Sequence, residues 1–200
     1  MCFHSQQSKT AQELKQRFGV SFKDESQFVS SLYNGFQYPK TPVITNKESN
    51  TIQLYNWGLL PKWAKGNTIR KSTLNARIET LPEKPSFRDV VTNRCLILVD
   101  GFFEWQWLDE KGKNKQKYLI TLPDNEAFAF GGLWNEWQNP TNGEILKTYT
   151  IITTEANELM SQIHNTEKRM PLILPKANEF DWLNGSKEIS TDILLKAEKV

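Results

Sequence analysis

The spacing of apolar and polar positions along the 200-residue chain changes several times, and each change predicts an element. The first periodic stretch runs from about Ser8 to Gly19. Ala11, Leu14 and Phe18 recur at i, i+3 and i+7, which puts one buried stripe on a short amphipathic helix. Thr10-Ala11-Gln12-Glu13 has the form of a capping box, and Gly19 can close the helix in a left-handed conformation. Residues 34–50, with Asn34-Gly35, Pro39 and Pro42, read as turn and loop around a short strand at Val43-Ile44. Ile52, Leu54 and the run to Trp57 read as a further strand, and Gly58 to Gly66 as an aromatic-bearing loop.

The middle of the chain is strand-rich. Cys95-Leu96-Ile97-Leu98-Val99 is an unbroken apolar run, the pattern of a strand buried on both faces. Phe102 to Leu108 and Tyr118 to Leu122 form a hairpin across the polar Asp109 to Asn114. Ala127 to Trp134 and Ile145 to Thr153 form a second across Asn139 to Gly143. Ala156, Leu159, Met160 and Ile163 predict a helix with Thr153 or Thr154 as N-cap. Leu172 to Leu174 is a short strand, and Asn178 to Asn184 and Thr191 onward read as helices. Strands that neighbour one another in sequence favour an α+β fold: mainly antiparallel β-sheet, barrel-like or as two packed sheets, flanked by short helices. With no linker or repeat, residues 1–200 are expected to form one domain.

Composition narrows the class. The chain is 38% hydrophobic and 24% charged, as soluble globular proteins are. No apolar run reaches the roughly 20 residues of a membrane span, and residues 1–7 lack a basic stretch followed by an apolar core, so no secretory signal is expected. Two cysteines make neither a disulfide framework nor a four-cysteine zinc site, so a reduced cytoplasm is expected. A net charge of +2 does not announce a nucleic-acid binder. Aromatic residues make up 12% of the chain and include seven tryptophans, enough for a core, a stacking platform or both.

Five residues and a run of lysines stand out chemically. Cys2 follows the initiator methionine, and removal of Met1 would leave an α-amine and a thiol on one residue. An α-amine titrates near 8, so about a quarter is neutral at pH 7.4, against about one lysine in a thousand. A neutral amine attacks an aldehyde to give a Schiff base, and the thiol can then close a thiazolidine ring. The bland reading of Cys2 is a residue at a frayed terminus. Glu104, in Gly101-Phe102-Phe103-Glu104-Trp105, is either a buried carboxyl of raised pKa suited to acid–base work or a solvent-facing residue of an alternating strand. His164 is either a proton carrier or a helix C-terminal histidine facing the dipole. Asn75 and Arg77 alternate as on one face of an extended stretch and suit an oxyanion or phosphate, unless Arg77 simply pairs with Glu79. The lysines at 111, 113, 115 and 117 are a solvated hairpin tip or a strip along a nucleic-acid backbone.

Five segments taken in order resemble one family. They are Cys2 after Met1, Trp57-Gly58-Leu59-Leu60-Pro61-Lys62-Trp63, Asn75-Ala76-Arg77-Ile78-Glu79-Thr80, Gly101-Phe102-Phe103-Glu104-Trp105, and Ile163-His164 followed by Arg169-Met170-Pro171. Together they resemble the SOS response-associated peptidase (SRAP) family, which shields abasic sites in DNA. The resemblance implies a catalytic set of Cys2, Asn75, Glu104 and His164. Cys2 would join the ring-opened sugar aldehyde as a thiazolidine, Glu104 would assist ring opening and Schiff-base formation, His164 would orient or protonate the sugar hydroxyl, and Asn75 would hold the adduct. It further implies DNA contacts from Arg77, Trp63, Trp105 and Thr153, no metal or organic cofactor, and single-stranded DNA containing abasic sites as partner. A monomer, associated with the nucleoid when on DNA, is expected, with self-cleavage exposing the cysteine as a second activity. Two departures stand out: Phe3-His4 follows Cys2 where many members have Gly-Arg, and Ala64 stands where many have a second tryptophan. A non-covalent single-strand-binding module and an N-terminal-cysteine peptidase or amidohydrolase are the alternatives.

Overall fold

A computed structural model of the chain describes residues 2–186, 190 and 192–200. Its strands are β1 (His4–Gln7), β2 (Ser21–Phe22), β3 (Ser31–Asn34), β4 (Lys40–Thr45), β5 (Glu48–Trp57), β6 (Asn75–Arg77), β7 (Arg94–Val99), β8 (Gly101–Trp107), β9 (Lys115–Thr121), β10 (Phe128–Gln138), β11 (Ile145–Glu155), β12 (Arg169–Pro171), β13 (Ile173–Leu174) and β14 (Lys196–Lys199). The α-helices are short: α1 (Ala11–Phe18), α2 (Glu158–Ile163) and α3 (Glu179–Leu183). No helix among the described residues is long and apolar enough to cross a membrane.

The strands form two sheets. One has the order β14-β9-β8-β1-β3; the other runs β12-β11-β10-β7-β4-β5-β2, with β13 on β10 and β6 on β11. Pairing is mainly antiparallel, as expected; β5 and β6 join β11 in parallel, and β2 joins β5 so. The apolar run of β7 explains the layering. Cys95, Ile97 and Val99 face a core shared with Phe102 and Ile120 of the five-stranded sheet, while Leu96 and Leu98 face a second core under α1 and α3. Both faces of the nine-stranded sheet are thereby buried, which requires continuous rather than alternating hydrophobicity.

Helix α1 carries the predicted capping box: Thr10 accepts from the Glu13 N–H, Glu13 reaches back, and Gly19 ends the helix at φ 67°. Leu14 and Phe18 are its buried stripe. Elsewhere tertiary pairing overrides local pattern. The segment expected to be mostly loop up to residue 50 contains all of β4 and the start of β5. Pro42 is tolerated inside β4 because β7 pairs only from Val43 onward. Thr153 and Thr154 do not cap a helix; they pair with Pro171 and Met170 in the ladder between β11 and β12. The N-cap of α2 is Asn157, whose Oδ1 accepts from the Met160 N–H at 2.9 Å. Of the helix expected from Thr191 onward, Thr191 lies outside the described residues, and 196–199 form β14 against β9.

Candidate functional site

The site lies where β1 runs out. β1 pairs with β8 from Gln6 opposite Gly101 to His4 opposite Phe103. Beyond Phe103, among the described residues, no strand continues that side of β8. Three residues past Glu104 a side chain takes over. The Trp107 N–H donates to Asn165 Oδ1 at 3.1 Å, and Asn165 Nδ2 donates to the Trp107 carbonyl at 2.9 Å. Gln106 Nε2 adds a bond to the Gln162 carbonyl at 3.0 Å. The end of α2 and the loop after it are thus tied to β8, leaving a cleft of about 400 Å³ between them and the N-terminus. Phe3, His4, Glu104, Trp105, His164 and Glu167 help line it.

Glu104 is buried, so the reading that points it at solvent is set aside. Burial raises its carboxyl from 4.5 to about 7, and the negative charge of Glu167 pushes the same way. A carboxyl that titrates at neutrality is available both as donor and as acceptor.

His164 is the C-cap of α2 and is also buried. Its Nδ1 accepts the Arg169 N–H at 3.1 Å, which assigns the neutral ring's proton to Nε2. Burial lowers its pKa to about 4. A neutral imidazole cannot serve as a cation on the helix dipole, so that reading of His164 falls away. Arg169 is itself fixed. Its guanidinium makes two bonds to the Glu79 carboxylate, at 2.7 and 2.9 Å, and one to the Thr153 carbonyl at 2.7 Å. Those Arg169 hydrogen bonds hold Glu79 below the usual carboxylate range.

Cys2 is fully buried at the head of β1, and its thiol points to the His4 carbonyl at 3.6 Å. Burial first, then the charge of Glu104, pushes that thiol far above its ordinary pKa. Asn75, on β6, donates from Nδ2 to the Cys2 carbonyl at 2.8 Å. Of the expected catalytic set, Asn75 on β6 thus bonds Cys2 ahead of β1, while Glu104 on β8 and His164 at the end of α2 line the cleft.

The expected DNA-contacting residues scatter more. Trp105 lines the cleft with its ring edge-on to His4, 5.0 Å between centroids, and Lys117 lies 5.8 Å from its centroid. Arg77 is exposed and pairs at 3.5 Å with Glu167 of the cleft; Glu79 goes to Arg169, so the alternative reading of an Arg77–Glu79 pair is set aside. The strand ends at Arg77 and the chain turns through 78–80, which separates the two side chains. Trp63 is 52% exposed but sits in a different hollow beside Gly66 and Ile69, its Nε1 on the Pro85 carbonyl at 3.1 Å. Thr153 is fully buried beneath Arg169, so its hydroxyl faces the interior and not the cleft. Sequence reasoning assigned no role to His4, Glu167, Asn165 or the Arg169–Glu79 pair. Only Arg169 and Glu79 carried a signal, as parts of the quoted Arg169-Met170-Pro171 and Asn75-to-Thr80 segments.

This is a two-sheet β protein in which a buried carboxyl titrating near neutrality and a neutral imidazole of fixed tautomer line one cleft, with buried Cys2 next to the cleft residue Phe3. The chain belongs to the SOS response-associated peptidase (SRAP) family, whose family model matches residues 1–199. It is 47% identical over 143 residues to the abasic site processing protein YoqW of Bacillus subtilis, a match covering 71% of this chain and 61% of that protein. It is 36% identical over 152 residues to the abasic site processing protein HMCES of Gallus gallus, covering 64% of this chain and 44% of that protein. The matches span less than two thirds of these relatives' own length. A crystal structure of a Bacteroides thetaiotaomicron protein superposes with a TM-score of 0.88 at 35% identity, covering 100% of this chain and 92% of that one.

Proposed function

We propose that this protein captures ring-opened abasic sites in single-stranded DNA covalently through Cys2 once Met1 has been removed. The observation that carries the reading is that Asn75 bonds the Cys2 carbonyl and the Glu104 charge bears on the Cys2 thiol, while Glu104 and His164 line one cleft with Phe3, the next residue. The names of the relatives support the same lesion.

The chemistry balances without an added reagent. The α-amine of Cys2 adds to the C1′ aldehyde, and the carbinolamine loses one water to give the imine. The thiol sulfur then bonds to C1′, its proton passes to the imine nitrogen, and a thiazolidine results. The net change is aldehyde plus aminothiol to thiazolidine plus water. Glu104 supports it by donating a proton to the sugar ring oxygen on opening and by assisting loss of the carbinolamine hydroxyl. His164 offers Nε2–H to a sugar hydroxyl while staying neutral at physiological pH. Asn75 holds the Cys2 carbonyl and so the orientation of the residue that reacts.

The high pKa of the buried thiol fits this order of events. The amine acts first, and the thiol is needed only when an imine lies within reach to receive its proton. Intact mass spectrometry before and after exposure to an abasic oligonucleotide tests the proposal. The expected result is loss of Met1 followed by an adduct of protein plus oligonucleotide minus one water, stable on a denaturing gel. No adduct from the wild type, or the same adduct from Cys2→Ala, overturns it. Turnover of peptide or amide substrates would favour a peptidase instead.

A further inference from the structure

Two rings at the rim of the cleft have no part in the capture chemistry. Phe3 lines the cleft directly after Cys2. Its ring lies 4.9 Å from that of Phe36, centroid to centroid, at 35° between planes. Phe36 is 51% exposed. An exposed phenylalanine alone is unremarkable among surface residues. This one is held in place from three directions.

It sits in a 3-10 turn, Gly35–Gln37, that follows β3. The Phe36 N–H donates to Asn34 Oδ1 at 3.0 Å, and the Tyr38 N–H donates to the Gly35 carbonyl at 3.0 Å. The Gly35 N–H donates to the Phe3 carbonyl at 2.9 Å, which ties the turn to the residue next to Cys2. Gly35 itself rests on the Trp57 ring so closely that a Cβ would come within 3.2 Å of it. The turn is therefore seated on the core, and it presents a flat apolar face beside the reacting end of the chain.

We propose that Phe36, backed by Phe3, is a stacking platform for the nucleobase that neighbours the abasic nucleotide. The inference rests on the reading of the cleft as an abasic-site pocket and extends it to the adjoining nucleotide. An abasic nucleotide has no base, so its neighbour has lost a stacking partner and has an apolar face to cover. A rigid ring at the mouth of the pocket replaces the missing base without being ordered first, and stacking on an aromatic side chain is largely indifferent to base identity. The trio of Phe36, Phe3 and the pocket then recognises the lesion together with one flanking base.

The test is equilibrium binding, by fluorescence anisotropy, of single strands carrying a tetrahydrofuran abasic analogue, which lacks the aldehyde and cannot crosslink. In one strand both neighbours of the analogue carry bases; in two others a second tetrahydrofuran replaces the neighbour on one side or the other. Wild type should lose about ten-fold in affinity when the base is removed on one particular side, and much less on the other. Phe36→Ala should bring that ratio close to one, Phe36→Tyr should keep it, and Phe36→Leu, which is apolar but not flat, should lose most of it. No side preference in wild type, an undiminished ratio in Phe36→Ala, or full retention by Phe36→Leu each overturns the proposal. Covalent capture of a true abasic strand is scored separately on a denaturing gel. Discrimination without crosslinking sinks the capture reading alone, and crosslinking without discrimination sinks the platform alone.

Discussion

Asn75 Nδ2 donates a 2.8 Å hydrogen bond to the carbonyl oxygen of Cys2, joining two members of the proposed catalytic set. The other end of the same amide is costly. Asn75 Oδ1 is buried with no hydrogen-bond partner among the described residues. A buried unsatisfied acceptor lowers stability by about 1–3 kcal/mol, so a fold selected for stability alone gains nothing from it. Asn75→Leu, with the same number of side-chain heavy atoms, exchanges that orphaned oxygen for an unpaired Cys2 carbonyl, so it should shift stability by no more than about 1 kcal/mol while slowing capture of an abasic strand about ten-fold. The urea midpoint and the rate of gel-shifted adduct check the two halves independently, and a larger loss of stability with unchanged capture would contradict both.

Glu104 sets a pH dependence whose sign follows from its direction of shift. Burial holds its carboxyl near 7 in the folded chain, against an ordinary 4.5. Below pH 4.5 both folded and unfolded chains carry the proton and no penalty arises. As pH rises from 4.5 to about 7 the unfolded chain ionises first, so folding is penalised increasingly, to about 3 kcal/mol above pH 7. Glu104→Gln removes that term. Its stability gain over wild type should be near zero at pH 4 and approach about 3 kcal/mol at pH 8, with capture strongly impaired throughout. Denaturant titrations of both proteins across that range provide the check. His164 acts in the opposite sense: its lowered pKa costs stability as pH falls from 6.5 toward 4, and the variant should retain that acid limb.

Much of this arrangement is legible in the sequence. The capping box at Thr10, the run from Cys95 to Val99 and both hairpins are local signals that the tertiary structure happens to agree with. The errors are all non-local. Lys196–Lys199 has no strand-like alternation; it becomes a strand because β9 offers an open edge. Thr153 is a plausible N-cap in isolation, but the ladder to β12 claims it. The two readings of Glu104 could be separated only by learning that β8 turns the face shared with Phe102 toward the second sheet. The Asn165 bridge had no sequence signal at all, because a side chain standing in for a strand depends on a register between segments 58 residues apart.

That bridge makes its own prediction. Asn165 ties the residue after His164 to the strand that bears Glu104, with both amide groups used on the Trp107 backbone. Removing it in Asn165→Ala leaves the β8 edge to water and lets the loop move away. His164 should then be more hydrated, and its pKa should climb from about 4 toward the ordinary 6.5. An NMR titration of the His164 ring is the direct readout, with a new inflection between pH 5 and 6.5 in the capture rate as its consequence. A variant that merely unfolds would instead lose dispersion in the whole spectrum. An unchanged His164 titration in a folded variant would show that Arg169 alone holds the ring.

A last prediction concerns the sheet that carries the site. Gly132, in the middle of β10, lies between β7 and β11 opposite Cys95 and Ile151. A Cβ placed there would come 2.3 Å from Ile97 Cδ1 and 2.6 Å from the Thr150 carbonyl oxygen. The isoleucine can change rotamer, but the carbonyl belongs to the paired strand and can retreat only by breaking the ladder. Gly132→Ala should therefore destabilise the fold by about 3 kcal/mol, at the upper end of what overpacking costs. Gly66 gives the contrast: its φ of 174° is ordinary extended backbone, and a Cβ there meets nothing within 4 Å. Gly66→Ala should be neutral or slightly stabilising, since alanine restricts the unfolded chain. Equal midpoints for the two variants in urea would mean that β10 and β11 are not packed as closely as their register requires.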